Sequence, residues 1–500
     1  MDLKANDDVL IVTTALLIVC VVFAGPNIIS LFSTDTDIVY ATEPKDDAPL
    51  EKTMGFANPA AVYCQNLGYE YEIVRTDESS YGLCVFNDGF KCNAWDFFRG
   101  KCGKDYSYCA KKGYETKYIS EQIGSATYKY AVCVVPADAP EGGALGVKTT
   151  ETKEIPVLEL MDANNEPLFK GDGFLPKDDL IVDDEEKKTT KIAALGGYDY
   201  PPSLDWRDNG GDWVTPVKNQ WACGSCWAFT TISAVESRRK IELNNPDYDI
   251  DLSEQTLVSC SDAGNCDGGS PKLSLNYIKN KGIVDESCFS YLGCKDWNST
   301  GKDCIEEYVC EKCLNWKDNM INVVNYEKLP ASADAIKQAI KDYGPVIAYM
   351  VVYDNFDFYS SGIYNNPTGT YTGTHAISII GYNDIKSYWL CKNSWGSWWG
   401  ENGYFKIDYS ENVFDFKAWN KTKDKKGCFF LDRSYVVTQT GVGPGDGGEE
   451  EHEEAEEKLK GDDFTSTAPE MTQEIIIEVT VDYYYSTEKE AEFTILGNDN

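Results

Sequence analysis

Residues 220–229 read QWACGSCWAF. Two cysteines, Cys223 and Cys226, stand three apart, and the second runs straight into Trp-Ala-Phe. The pair can be a metal clip, a redox dithiol, a structural disulfide, or a nucleophile with a neighbour. Zinc needs further ligands, but the chain holds two histidines, and the nearest other Cys-x-x-Cys, CEKC at 310–313, has no matching frame. A thioredoxin-like dithiol wants a buried strand ahead of it, whereas the preceding PVKNQ is polar. Downstream, Trp227, Phe229, Ile232, Val235 and Ile241 alternate with Glu236, Arg238, Arg239 and Lys240 at helical spacing. Cys226 therefore stands at a helix N-terminus, where the macrodipole and unpaired N–H groups favour a thiolate. The Gly224-Ser225 turn lets the backbone come close to a substrate.

A thiolate at neutral pH wants a histidine. His452 lies in the acidic run EEEHEEAEE and reads as solvated. That leaves His375, in THAISIIGYND, at the head of an apolar strand. The imidazole needs an orienting acceptor, and KNSWGSWWGENGY supplies Asn393, on a loop after the strand SYWLC. Gln220 precedes the nucleophile by six residues. Its amide, with the Cys226 N–H, can hold a developing oxyanion. The catalytic set expected is Gln220, Cys226, His375 and Asn393, with no metal and no cofactor.

CGSCWAF, with PVKNQ before it and SEQTLVSC (253–260), GNCDGG (264–269), THAISIIGY (374–382) and KNSWGSWWGENGY (392–404) after it, resembles the papain-like cysteine peptidases over roughly 201–440. The Cys226-to-His375 distance, 149 residues, is the one expected. The resemblance implies an α+β, papain-like two-lobe fold, a helical lobe and a β-barrel lobe meeting at a cleft. It implies a hydrolase acting on polypeptides through a thioester. It also implies that Trp395 shields the Asn–His hydrogen bond and that Gly268 and Gly269 offer backbone hydrogen bonds to substrate. Pro271 and Thr374 would line the main specificity pocket, with Arg433 at its floor, so that a polar or acidic P2 residue is accepted beside an apolar one. Two features depart from the family pattern. Trp221 replaces the small residue usual after the glutamine and would crowd the leaving-group side. The long helical pro-segment of many relatives is not recognisable. A catalytically inactive binding or adhesion protein is the main alternative, though all four catalytic positions are filled. A peptide ligase or transpeptidase on the same machinery is the other; it would show as amide products when an added amine competes with water.

The chain has 500 residues, 82 acidic against 46 basic, a formal charge of −36. That argues against nucleic acid as a partner, because phosphate binding needs a basic face. Eighteen cysteines suit an oxidising compartment. Residues 9–24, VLIVTTALLIVCVVFA, followed by NIISLF, read as a secretory signal or as a membrane anchor reaching about residue 32. Either puts the rest outside the cell or at its surface. The sequons at Asn298 and Asn420 would then be open to glycans.

A linker (33–55) leads to a tandem cysteine-rich segment, 56–136. Tyr63-Cys64…Gly68-Tyr69 recurs as Tyr108-Cys109…Gly113-Tyr114 with a period of 45 residues. Each copy then reaches a cysteine in a strand-like run, Cys84 and Cys133. Two small disulfide-stapled β-type units are expected, paired Cys64–Cys84 and Cys109–Cys133, with Cys92–Cys102 between them. The stretch NPAAVYC…KC (58–102) resembles a small secreted bacterial domain of unknown function, sometimes labelled haemolysin-like. Residues 137–200 are acidic and read as a linker or pro-segment, cut shortly before Pro201. Residues 441–470 form a second acidic linker, and 471–500 read as a β-rich tail. The peptidase region has eleven cysteines, an odd number, which points to one free thiol, Cys226. The family resemblance pairs Cys223 with Cys266. Cys260 would pair within the insertion, with Cys294 or Cys304, and Cys391 with Cys428.

Overall fold

In the computed structural model, the structure describes residues 56–137, 151–166, 168, 198–293, 310, 312–314, 316–317, 320–365, 371–415 and 427–443. The N-terminal apolar stretch, Cys20, the 33–55 linker, most of the acidic segment, Cys294, Cys304, both sequons, His452 and the tail lie outside these residues.

Each cysteine-rich repeat is a helix followed by a hairpin. The first runs α1 (Pro59–Asn66), β1 (Glu70–Arg75), β2 (Ser80–Val85), β3 (Lys91–Asn93) and α2 (Ala94–Phe98). The second runs α3 (Tyr108–Lys111), β4 (Glu115–Ile123) and β5 (Ala126–Pro136). Asn58 caps α1, its side chain accepting from the Ala60 N–H, and Pro59 follows where the helix has no bond to lose. The helix cysteine of each repeat bonds to its strand cysteine, Cys64–Cys84 and Cys109–Cys133, and Cys92 bonds to Cys102.

Part of the acidic segment is structured. Strand β6 (Thr152–Pro156) pairs with β5, and α4 (Val157–Ala163) follows. Val157, Met161 and Leu168 are buried there, so a few apolar residues dock a stretch whose average composition reads as linker.

The peptidase region opens with β7 (Ser203–Asp205) and builds a helical lobe from α5 (Cys226–Glu242), α6 (Glu254–Cys260), the short pair β8 (Gly264–Asn265) and β9 (Gly268–Gly269), and α7 (Pro271–Lys281). Ser253 and Ser270 cap α6 and α7. The second lobe holds β10 (Ile321–Lys328), α8 (Ala333–Tyr343), β11 (Val346–Tyr353), α9 (Asp354–Asp357), β12 (Tyr359–Tyr364), β13 (Tyr371–Asn383), β14 (Tyr388–Lys392), β15 (Tyr404–Asp408), β16 (Asn412–Val413) and β17 (Phe429–Val442). Their order in the sheet is β10-β17-β11-β13-β14-β15-β12, and it continues into the second repeat as β12-β5-β4. All eight residues of β11, VIAYMVVY, are buried, as its position between β17 and β13 requires. Helix α5 packs against β13 and β17 and carries its N-terminus to the junction of the lobes.

The peptidase disulfides are Cys223–Cys266, Cys260–Cys310 and Cys288–Cys313. Cys391 and Cys428 do not pair: both are buried free thiols beside Cys226 in the inventory. The reason is topological. Cys391 lies on β14 and Cys428 just ahead of β17, with β11 and β13 between those strands. Three strand spacings are about 14 Å, beyond the Cα reach of a disulfide, about 7 Å. Cys260 takes Cys310 rather than Cys294 or Cys304. The expectation of a single free thiol is therefore corrected to three among the described residues.

Candidate active site

Cys226 is the first residue of α5. The turn ahead of it is fixed twice, by the Cys223–Cys266 disulfide and by the Gly224 N–H donating to the Cys266 carbonyl at 2.7 Å. No side chain caps α5, so its first N–H groups face the site. The Cys226 sulfur accepts from the Ala376 N–H at 3.4 Å. Burial pushes the thiol up, while the amides of Ala376, Phe56, Trp227 and Cys226 itself pull it back.

His375 precedes Ala376 on β13, opposite Met350 of β11. Its Nε2 and the Asn393 Oδ1 are 2.7 Å apart. Nδ1 of His375 is buried with no hydrogen-bond partner among the described residues. Burial lowers the imidazole to about 4, against which the Asn393 bond works. In this covered state both groups are thus held neutral. Asn393 follows β14 and is fixed by its own N–H donating to the Gly403 carbonyl at 2.9 Å. The Trp395 ring stacks against that of His375, centroids 4.9 Å apart and planes at 30°.

Gln220 ties the two lobes. Its N–H donates to the Ser394 carbonyl at 2.9 Å, and its Oε1 accepts from the Ser394 hydroxyl at 2.6 Å. Its Nε2 donates to the Cys223 carbonyl and to the Phe56 carbonyl, both at 2.8 Å. Cys226, His375 and Gln220 are 0 % exposed. Gly269 packs so closely on Trp227, the neighbour of Cys226, that a Cβ there would fall 2.3 Å from the indole. Pro271 opens α7, Thr374 is buried beside His375, and Arg433 is buried on β17.

Beneath the site lies a cationic pair that sequence reading passed over. Lys218 Nζ meets Glu236 at 3.1 Å, Glu254 at 2.9 Å and Asp251 at 2.6 Å. Lys392 Nζ donates to the Thr215 carbonyl at 2.8 Å and to the Ser233 hydroxyl at 3.2 Å, and burial lowers it to about 8. Phe56 was also missed. The one trace of it in the sequence is the departure at Trp221, whose bulk meets the cysteine-rich repeat.

A cysteine at a helix start, beside a histidine held by an asparagine on the facing sheet, is the layout of a cysteine peptidase. Residues 200–422 match the papain family cysteine protease profile, and 55–101 match a domain of unknown function (DUF333). The chain is 38 % identical over 239 residues to pro-cathepsin H of Mus musculus, covering 46 % of this chain and 67 % of that one. It is 34 % identical over 251 residues to chymopapain of Carica papaya, covering 49 % and 65 %. Among solved structures, the cysteine protease CMS1MS2 of Carica candamarcensis is 30 % identical, with 49 % of this chain and 98 % of that chain covered and a TM-score of 0.35. The chain belongs to the papain family of cysteine proteases, and its fold is α+β and papain-like. It spans roughly half to two thirds of the length of the curated relatives it matches.

Proposed function

We propose that the chain is a cysteine endopeptidase, secreted or held at the cell surface through residues 9–32, that hydrolyses polypeptides through a thioester on Cys226. The observation that carries this reading is the 2.7 Å contact of His375 Nε2 with Asn393 Oδ1, which leaves Nδ1 to serve the thiol whose sulfur the next residue, Ala376, holds. Cys226 attacks the peptide carbonyl, and Gln220 Nε2 with the Cys226 N–H holds the oxyanion. His375 Nδ1 takes the thiol proton as the sulfur attacks and passes it to the departing amine, then takes a proton from the water that hydrolyses the thioester and returns it to the Cys226 sulfur as the acid leaves. Asn393 keeps the ring aimed, and Trp395 covers that bond. Gly268 and Gly269 bind the substrate backbone. Pro271, Thr374 and Arg433 shape the P2 pocket. Six described disulfides suit the oxidising compartment this requires.

The test is hydrolysis of a fluorogenic peptide by the full chain and by any shorter form that accumulates with it. Cys226→Ala and His375→Ala should each lose at least about a thousandfold in kcat/KM, because the two act as a unit. Activity that survives Cys226→Ala overturns the assignment.

A further inference from the structure

Phe56, the first residue described, is where the cysteine-rich module meets the reacting pair. Its carbonyl accepts from Gln220 Nε2 at 2.8 Å, the donor a substrate oxyanion would need. Its own N–H bonds to the Cys226 sulfur. Its ring stands edge-on to His375, centroids 6.3 Å apart, and 5.8 Å from Trp395. Gly373 leaves the room: a Cβ there would fall 2.6 Å from the Phe56 ring.

Two residues on, the chain is tied to the same wall. The Asn58 N–H donates to the Trp221 carbonyl at 2.9 Å, and its side chain donates to the Trp395 carbonyl at 3.2 Å. The body of the module anchors this strap. Tyr71 stacks on Trp221, centroids 5.6 Å apart, and Trp95 Nε1 donates to the Trp395 carbonyl at 3.0 Å. Arg99 donates to the Trp398 carbonyl at 3.2 Å, and the Ser80 N–H donates to that of Val217 at 2.8 Å. Trp221 adopts a left-handed backbone, φ 60°, that a non-glycine residue takes only when its surroundings hold it there. The large residue at this position is thus matched to the module rather than to a substrate.

We propose that the cysteine-rich module is the peptidase's own inhibitor, holding Phe56 across Cys226, His375 and Gln220 where the substrate residue after the scissile bond would sit. The proposal rests on the reading of Cys226 as nucleophile. While Phe56 is seated, no substrate carbonyl reaches Gln220 and no amine departs past His375. Withdrawal is local. Phe56 and Ala57 lie outside α1, ahead of its Asn58 cap, so they can shift while α1, the disulfides and the β5–β12 pairing stay in place.

The experiment compares the native full chain with Phe56→Gly. Two rates are read: iodoacetamide labelling at Cys226, located by peptide mass mapping, and hydrolysis of a fluorogenic peptide. Phe56→Gly should label about tenfold faster or more, with hydrolysis rising in step, because one seated residue separates two populations. Equal labelling rates in the two chains overturn the proposal, whatever the hydrolysis rate. Faster labelling without hydrolysis upholds the plug and instead sinks the peptidase reading. If Phe56→Gly does not accumulate folded, Phe56→Leu, which keeps bulk but loses the ring contacts with His375 and Trp395, should show a smaller gain, and no gain there overturns the proposal.

Discussion

Asn393 touches no substrate atom in the proposed mechanism; it holds the His375 ring at 2.7 Å. Asn393→Ala should therefore cost less than loss of His375, about ten- to a hundredfold in kcat by the order expected for an orienting partner, with KM little changed; steady-state kinetics on the two variants decide this. His375 also has a stability signature. Its imidazole is lowered from 6.5 to about 4 by burial. The unfolded chain then binds the proton more readily, so stability attached to this group is full above pH 6.5 and is lost as pH falls toward 4. The displacement corresponds to about 3 kcal/mol at most. The gap in unfolding free energy between wild type and His375→Gln should shrink over that window in denaturant titrations at stepped pH; a gap that widens would contradict the neutral, covered imidazole. His375 was legible because the other histidine, His452, lies in an acidic run, and Cys226, Asn393 and Gln220 because of their places in the motifs around them; the structure brings the four together. Phe56 was not legible, because a lone aromatic between Gly55 and Ala57 carries no chemistry of its own.

Helix α5 could be read from its apolar spacing, and β13 and β14 from their runs. What spacing could not show is the charge beneath them. Lys218 sits among Glu236, Glu254 and Asp251, with Glu236 and Glu254 nearly fully buried. Removing a cation from such a cluster leaves buried carboxylates uncompensated. Lys218→Met should cost about 3–5 kcal/mol, seen as a lower denaturant midpoint; a change below about 1 kcal/mol would mean the cluster is solvated. Cysteine pairing failed at the same scale. Repeat symmetry is local and led to Cys64–Cys84 and Cys109–Cys133. The pairing of Cys391 with Cys428 depended on strand order, which puts two strands between them. Alkylation under denaturing, non-reducing conditions should label Cys226, Cys391 and Cys428; a Cys391–Cys428 linked peptide in the digest would contradict the sheet order.

At the scale of the molecule, the module and the peptidase share one sheet through β12 and β5 and seal one site through Phe56. The tandem repeat and the peptidase were both visible in the sequence, the first by its 45-residue period and the second by its motifs. Their contact was not, since neither composition nor period says which surface a module covers. The acidic stretch between them is expected to be the point of cutting, and mass mapping of the active protein should find it starting shortly before Pro201; an active form that still begins before residue 140 would contradict this. The central claim is that Cys226 is the nucleophile of a peptidase. It is tested most directly by stopping turnover of a peptide ester in acid and weighing the intact protein. The account predicts an added acyl group on Cys226, absent in Cys226→Ala; an acyl group on another residue, or full turnover by Cys226→Ala, would contradict it.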